Sequence, residues 1–209
     1  SSCTLRAPFP QSTETPAPTA SRPLPPPTLT PTNTPFPTAT PTPVPAQRVA
    51  NGDQALFYGD YDTALVAYRT AQMESDDHVV QSAALLGQGR IHYLTGNYPG
   101  ALTALRAIVD AYPDSPYRAD AYFFLAETYM VLYRYLEAAE AYNNYWLLRP
   151  GLIDAYIGEW RGDALSYAEM YAQALVNYQT AVNSQRLPSD FTLELKLARS
   201  YVATGDYAT

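Results

Sequence analysis

The side chains that could do chemistry in this sequence are few. His78 and His92 are the only histidines, and they lie fourteen positions apart, the first in a predicted loop and the second on a predicted helix. No third ligand stands at the short spacing that zinc sites require, so we expect no metal site. Glu137 and Glu140 share one face of a predicted helix, which is typical of a solvated surface rather than of acid–base catalysis.

Sequence motifs for enzymatic chemistry are also missing. The chain contains no glycine-rich phosphate loop, nucleophile elbow or paired-histidine motif. The single cysteine, Cys3, excludes an internal disulfide and a thiolate metal cluster. We therefore predict that this chain is not an enzyme and that it holds no catalytic residue, metal or cofactor.

Composition divides the chain into two parts. Fourteen of the 19 prolines and eleven threonines lie in residues 1–45, whereas all 19 tyrosines and all 10 glycines follow that segment. The first part carries a net charge of +1, so the remainder carries −8 to give the total of −7. This acidic balance argues against nucleic acid and against an anionic bilayer surface, because both need clustered Lys and Arg. No run of apolar residues is long enough to span a membrane.

Residues 1–45 are predicted to form a disordered Pro/Thr-rich tether. Each proline fixes its own φ and favours an extended residue before it, so neither a helix nor a sheet can propagate. Ser1 and Ser2 before Cys3, followed by this polar stretch, resemble the start of a mature bacterial lipoprotein. The resemblance implies a removed signal peptide, an acylated Cys3, and an exported chain on the outer side of the cytoplasmic membrane or in the periplasm. The alternative is a free cysteine at a disordered terminus.

Residues 46–209 contain an internal repeat of 36 to 37 residues. Its recurring triplets are Gly59-Asp60-Tyr61, Gly96-Asn97-Tyr98, Tyr133-Arg134-Tyr135, Glu169-Met170-Tyr171 and Gly205-Asp206-Tyr207. Three residues after the tyrosine stands an alanine, and four further on a large side chain: Ala64 and Tyr68, Ala101 and Leu105, Ala138 and Tyr142, Ala174 and Tyr178. The apolar residues on either side of the triplet have helical periodicity. The pattern predicts two short antiparallel helices per repeat, with neighbouring pairs stacked on one shared core.

This pattern resembles the tetratricopeptide repeat (TPR), which also places a small residue and a tyrosine in its first helix. The first-helix matches are Gly89, Ala126, Gly162 and Ala198, followed by Tyr129 and Tyr201. The resemblance covers residues 45–209 and implies an all-α, TPR-like α-solenoid of antiparallel helix pairs. We expect four full repeats at about 46–78, 79–115, 116–150 and 151–187, and the first helix of a fifth over 188–209.

Helix boundaries and loops follow from local signals. Ser115 and Pro116 predict the cap and first turn of a helix over 116–132, and residues 188–190 predict the same for a helix that begins near Phe191. Loops between repeats are expected at 76–78, 113–116 and 185–190. The chain stops inside a fifth repeat, where a solenoid would continue or end in a polar cap, so we expect a fragment of a longer protein.

The first helices of TPR arrays line a concave surface, so the resemblance also implies a binding groove. Its expected residues are Arg90, Tyr93, Phe123, Glu127, Tyr156, Glu159, Asp163, Tyr167 and Arg199, together with Asp53, Leu56 and Met130. Their carboxylates and aromatic rings suit an extended peptide with a basic or apolar residue, or a glycan that stacks on tyrosines. The alternative for Tyr93, Phe123 and Met130 is packing between helices. Trp146 and Trp160 are interpreted as partly buried packing residues rather than as a ligand platform.

Two functions follow from these resemblances. Residues 113–129 are similar to the repeat joints of periplasmic TPR lipoproteins that serve outer-membrane assembly and cell division, which implies a membrane-tethered scaffold for protein–protein interaction in the cell envelope. Alternatively, residues 149–156 and 161–165 look like the non-catalytic helical region of exported peptidoglycan lytic transglycosylases. Their catalytic glutamate lies in a separate C-terminal domain, which would lie beyond Thr209, and the Glu74-Ser75 pair takes no such role. The expected partner is a protein or peptide, with peptidoglycan as the alternative.

Overall fold

The computed structural model describes residues 44–184 and 191–205, which form helices and the turns between them. The helices are α1 (Pro45–Phe57), α2 (Tyr61–Glu74), α3 (His78–Leu94), α4 (Tyr98–Ala111), α5 (Arg118–Val131), α6 (Tyr135–Leu148), α7 (Asp154–Tyr167), α8 (Tyr171–Asn183) and α9 (Phe191–Thr204). The all-α, TPR-like solenoid is thereby confirmed. Residues 1–43 of the predicted tether, with Cys3, and the cap at residues 188–190 lie outside the described residues. The last two tether residues, Val44 and Pro45, are instead the N-cap and the first residue of α1.

The turn inside a repeat uses the triplet to end one helix and start the next. The Gly59 N–H donates to the Leu56 carbonyl at 3.1 Å, and the Asp60 N–H donates to the Ala55 carbonyl at 2.9 Å. This pair of bonds is a Schellman motif, which requires a left-handed residue, and Gly59 has a φ of +78°. Asp60 is also the N-cap of α2, where its side chain accepts a bond from the Thr63 N–H at 3.1 Å.

Later repeats keep this turn with less favourable residues. Gly96 has a φ of +76°, and the equivalent Tyr133 and Glu169 have φ values of +59° and +61°. Residues other than glycine rarely adopt this left-handed backbone conformation. The residues that follow them, Arg134 and Met170, make no capping bond through their side chains. The geometry of the turn is therefore held by the packed helices more than by its own sequence.

Close contact between helices explains the buried alanine and the large residue after it. Ala64 and Tyr68 on α2 are fully buried. A Cβ placed on Gly52 of α1 would lie 2.7 Å from the Tyr68 ring, and one on Gly87 of α3 would lie 2.3 Å from it. One ring thus fills the space between the first helices of two successive repeats, which only glycine allows here.

Repeats stack so that each helix contacts the next along the chain. In addition, α1 contacts α3 and α3 contacts α5, so these first helices lie side by side. One buried cluster runs from α3 to α9, and a second joins α1, α2 and α3. None of the helices in the described ranges has the length and apolar character needed to cross a bilayer.

Two local predictions are wrong. The helix expected to start at Pro116 begins at Arg118, because the Ser115 hydroxyl accepts the Tyr117 N–H at 3.1 Å and closes a turn before the helix instead of capping it. His78, expected in a loop, is the first residue of α3, because the preceding Asp77 caps that helix through the Val79 N–H at 2.8 Å.

Candidate functional site

A row of charged residues runs along the first helices of successive repeats. Each stands directly after the small residue of its helix: Asp53, Arg90, Glu127, Asp163 and Arg199. All five belong to the groove residues expected from the resemblance. Asp53, Glu127 and Asp163 share one further feature, which was not predicted from the sequence.

Each of these three carboxylates accepts a hydrogen bond from the buried tyrosine that stands fifteen residues later in the same repeat. The Tyr68 hydroxyl donates to Asp53 Oδ1 at 2.6 Å, and the Tyr178 hydroxyl donates to Asp163 Oδ1 at 2.8 Å. In the third repeat the Tyr142 hydroxyl donates to Glu127 Oε1. The pairing satisfies a hydroxyl that would otherwise be costly to bury.

Burial raises the pKa of Tyr68, Tyr142 and Tyr178, because water no longer stabilises the phenolate. The carboxylate beside each hydroxyl raises the pKa further, since it repels a second negative charge and accepts the proton of the neutral form. These tyrosines therefore act as neutral hydrogen-bond donors that hold the carboxylates in place.

The second repeat departs from this arrangement. Its large residue is Leu105, which has no hydroxyl, and the charged position fifteen residues earlier is Arg90. The Arg90 guanidinium lies over the Phe124 ring of α5, 5.7 Å from the ring centroid. This distance is typical of a cation–π contact, so Arg90 links the first helices of two repeats.

A recess of about 650 Å³ crosses α1, α3 and α5. It is lined by Asp53, Leu56, Phe57, Ala83, Leu86, Gly87, Arg90, Leu94, Tyr117, Asp120 and Phe124. Asp53, Leu56 and Arg90 were expected in the groove, whereas Phe57, Asp120 and Phe124 were not. We call this surface the N-terminal recess.

A smaller recess of about 280 Å³ lies between α5, α6 and α7. Its lining residues are Phe123, Glu127, Met130, Tyr142, Trp160 and Asp163. Phe123 is in edge-to-face contact with Tyr142 and Trp160, at centroid distances of 6.4 and 5.7 Å. Phe123 thus fills both roles considered for it, because it faces the recess and packs between helices.

The remaining expected groove residues are dispersed. The Tyr93 hydroxyl donates to Glu127 Oε2 at 3.5 Å, and Tyr156 packs on Trp160 at 5.9 Å. Tyr167, which is 62% exposed, stacks on Tyr135 at 5.1 Å. Arg199 is exposed on α9.

Glu159 and Asp163 are joined to the next repeat by a lysine. Lys196 Nζ of α9 donates to Glu159 Oε1 at 2.8 Å and to Asp163 Oδ2 at 2.7 Å. Burial lowers the pKa of Lys196, but the bonds to the two carboxylates outweigh burial and raise it overall. These acids therefore hold α7 against α9 as much as they face the groove.

The other residues singled out for their chemistry serve structural roles. Glu137 forms an ion pair with Arg134 at 2.7 Å, three residues before it on the surface of α6. Trp146 and Trp160 are partly buried and pack against the main core. Among the described residues, His, Cys, Asp and Glu form no group of three that could hold a metal ion.

Comparison with known families agrees with the repeat geometry. A family model described as tetratricopeptide repeat matches residues 49–116, which hold the first two triplets and most of α1–α4. Over these residues the chain matches the tetratricopeptide repeat, and the described helices have a TPR-like fold. None of the curated proteins compared with it matches.

Solved structures share the fold of this chain at low identity. MamA of strain AMB-1 superposes with a TM-score of 0.64 at 18% identity, over 78% of this chain and 84% of that one. MamA from Desulfovibrio magneticus RS-1 gives 0.64 at 18%, over 78% and 87%. A thermophilic TPR protein from Thermus thermophilus gives 0.52 at 21%, over 78% and 84%.

Proposed function

We propose that the TPR array is a protein-interaction scaffold, which holds an extended segment of a partner protein along its first helices. The observation that carries this proposal is the N-terminal recess, since it crosses three successive first helices and is wide enough for several side chains. Solenoids use extended surfaces of this kind to bind partners.

The chemistry of the recess favours a segment with apolar and basic side chains. Phe57 and Leu94, on its lining, are 84% and 53% exposed. Because both side chains line the same recess, they give it a concave apolar surface of the kind that ligands occupy. Asp53 supplies negative charge, and Arg90 supplies a cation for a backbone carbonyl or an acidic side chain. Asp120 is already paired with Arg149 at 2.6 Å.

Selection of peptides from a random library, followed by affinity measurement, tests the scaffold. We expect the enriched peptides to bind the wild-type protein. Their affinity for the double variant Phe57→Ser/Leu94→Ser should be at least about tenfold lower, because both substitutions remove apolar contact area. A matched control is Val66→Ser with Met73→Ser on α2, which are 65% and 79% exposed and lie outside the recess. Equal losses in both pairs, or no enrichment, would contradict the proposal.

We further propose that Cys3 anchors this scaffold on the outer side of the cytoplasmic membrane or in the periplasm. The support is the sequence Ser1-Ser2-Cys3 before a long proline-rich spacer. Stable attachment needs more than one acyl chain. Expressed behind a bacterial lipoprotein signal peptide, the chain should incorporate labelled palmitate and sediment with membranes, while Cys3→Ser should do neither. Absence of label on the wild-type chain would contradict the anchor proposal but would not affect the scaffold proposal.

A further inference from the structure

A second concave site lies away from the groove, between α6 and α7. The cavity measures about 300 Å³ and is lined by Asn143, Trp146, Leu147, Pro150 and Arg161. Arg161 stands between Glu159 and Asp163 in sequence, and residues two apart on a helix point in nearly opposite directions. The cavity therefore opens on the side of α7 opposite to the groove.

Arg161 reaches this cavity with little compensation for its charge. In the part of the chain that the structure describes, its guanidinium makes one hydrogen bond, from Nη1 to Asn177 Oδ1 at 3.3 Å. Its Nε is buried and, among the described residues, has no acceptor. A guanidinium carries five N–H donors, so most of them have no acceptor among the described residues.

The surroundings of Arg161 make this state unfavourable. Burial lowers the pKa of Arg161, and no carboxylate within the described helices opposes the effect. A partly buried charge without an ionic partner is unfavourable, because the single bond to Asn177 replaces only part of the water that Arg161 loses. An anion bound beside it would remove that cost.

The walls of the cavity specify the rest of the ligand. Trp146, Leu147 and Pro150 offer apolar surface, and Leu147 is 72% exposed. An exposed apolar wall beside a single cation matches a ligand with one negative charge and an apolar body. A phosphate, with up to two charges and no apolar part, would leave both the second charge and the walls without partners.

We infer that this cavity is a binding site for a monocarboxylate with an aromatic or aliphatic body, such as an aryl-alkanoic acid or the C-terminal residue of a peptide. The carboxylate pairs with Arg161, and the apolar body lies against Trp146 and Leu147. The site is independent of the proposed groove, because it shares no residue with the N-terminal recess.

Titration with 3-phenylpropionate, followed through the indole N–H signal of Trp146 in NMR spectra, tests the inference. The signal is assigned with Trp146→Phe. We expect a saturable shift with a dissociation constant on the order of millimolar, from the usual free energy per heavy atom of small ligands. The uncharged 3-phenylpropionamide should bind at least about tenfold more weakly, because it cannot pair with the guanidinium.

A peptide arm distinguishes the two sources of this chemistry. Acetyl-Ala-Phe with a free carboxylate is compared with its C-terminal amide. Tighter binding of the peptide acid than of 3-phenylpropionate assigns the site to a protein C-terminus, and the reverse order assigns it to a small molecule. Both orders support the inference, provided that the amide of each pair binds more weakly.

Variants decide whether Arg161 is responsible. Arg161→Gln should lose the shift, and Leu147→Ala should weaken binding by about two- to threefold through lost apolar contact. Arg69→Gln on α2 removes the same charge from an exposed position and should bind as the wild type does. Thermal melts check that each variant is folded. Equal affinity for acid and amide, unchanged binding by Arg161→Gln, or no shift at about ten times the expected dissociation constant would overturn the inference.

Discussion

At the scale of single residues, the large side chain after the buried alanine correlates with the sign of the charged residue on the groove side of its repeat. Tyr68, Tyr142 and Tyr178 each place a hydroxyl beneath a carboxylate. Leu105 needs no acceptor, and a cation, Arg90, takes the charged position of that repeat. The buried interior of each repeat is therefore coupled to the charge that its first helix presents.

The three buried tyrosines predict how stability depends on pH. Their folded pKa values lie above the value of about 10 for an unfolded chain. Below that pH both states are protonated, whereas above it only the unfolded state releases protons, so the free energy of unfolding should fall as pH rises beyond about 10. In a pH titration followed by phenolate absorbance, the buried tyrosines should ionise in a late step above about pH 10. That step should coincide with the loss of the helical circular dichroism signal. Tyr142→Phe should make that step smaller; a late step that precedes unfolding would contradict the assignment.

The tight approach of Gly87 to the Tyr68 ring gives a second prediction. Alanine at this position suits a helix, but its Cβ would lie 2.3 Å from the ring. We expect Gly87→Ala to lower the free energy of unfolding by about 1 to 3 kcal/mol, as overpacking usually does. Urea denaturation measures the loss.

A double-mutant cycle isolates the clash. In a Tyr68→Leu background, which copies the residue of the second repeat, Gly87→Ala should cost at least about 1 kcal/mol less. An unchanged cost would place the strain elsewhere in α3.

At the scale of elements, the turn within a repeat shows where sequence and backbone disagree. The four described turns are each three residues long and place a left-handed residue at the same position, yet Tyr133 and Glu169 stand where Gly59 and Gly96 stand in the first repeats. Packing of the helices on both sides imposes the turn on residues that do not favour it.

Glycine at these positions should stabilise the protein. A left-handed residue with a side chain costs about 1 to 2 kcal/mol, partly offset by the greater entropy of glycine in the unfolded chain. Tyr133→Gly and Glu169→Gly should each raise the free energy of unfolding by about 0.5 to 1 kcal/mol in thermal or urea melts. Gly96→Ala is the matched control: a Cβ there would meet nothing within 4 Å, so any loss reflects φ alone. Stabilisation by Gly96→Ala would refute the argument.

The helices were predictable because their pattern recurs, and the details within single copies were not. Five triplets at intervals of 36 to 37 residues outweigh any local ambiguity. In contrast, Ser115 matches a helix cap by type, but its hydroxyl closes a preceding turn. Local signals of this kind compete with tertiary contacts that the sequence does not reveal.

The candidate site was predictable only in part, for a related reason. Placing the first helices on one surface identified Asp53 and Arg90, because both follow the small residue of the repeat. Phe124 was missed because its contact with Arg90 crosses to the next repeat. The spacing of fifteen residues between carboxylate and tyrosine is present in the sequence and identifies these pairs once the repeat is aligned.

At the scale of the whole molecule, each repeat relies on its immediate neighbours. Contacts join consecutive helices and adjacent repeats, so stability should behave as a sum over neighbouring interfaces. A defect at one interface should therefore remain local.

Lys196 tests this expectation at the last described interface. Lys196→Gln removes a cation from Glu159, which is 7% exposed, and from Asp163. We expect a local loss of about 1 to 3 kcal/mol, measured as faster amide hydrogen exchange in α7, α8 and α9.

Exchange in α1–α4 should remain as in the wild type, since no interface of those helices is altered. Lys196→Arg keeps the charge and is the matched control. A uniform rise in exchange along all the described helices would show that the array unfolds as one unit.

The double role of Asp60 in the turn has a practical consequence for inserting tags. Asp60 takes part in ending α1 and also caps α2, so an insertion in this turn would disrupt one of the two helix ends. Each turn between paired helices in the described repeats is three residues long. Links between repeats span three residues at 75–77, six at 112–117 and five at 149–153. An epitope tag or a fluorescent reporter belongs in these variable links, where a longer chain leaves both neighbouring hairpins intact.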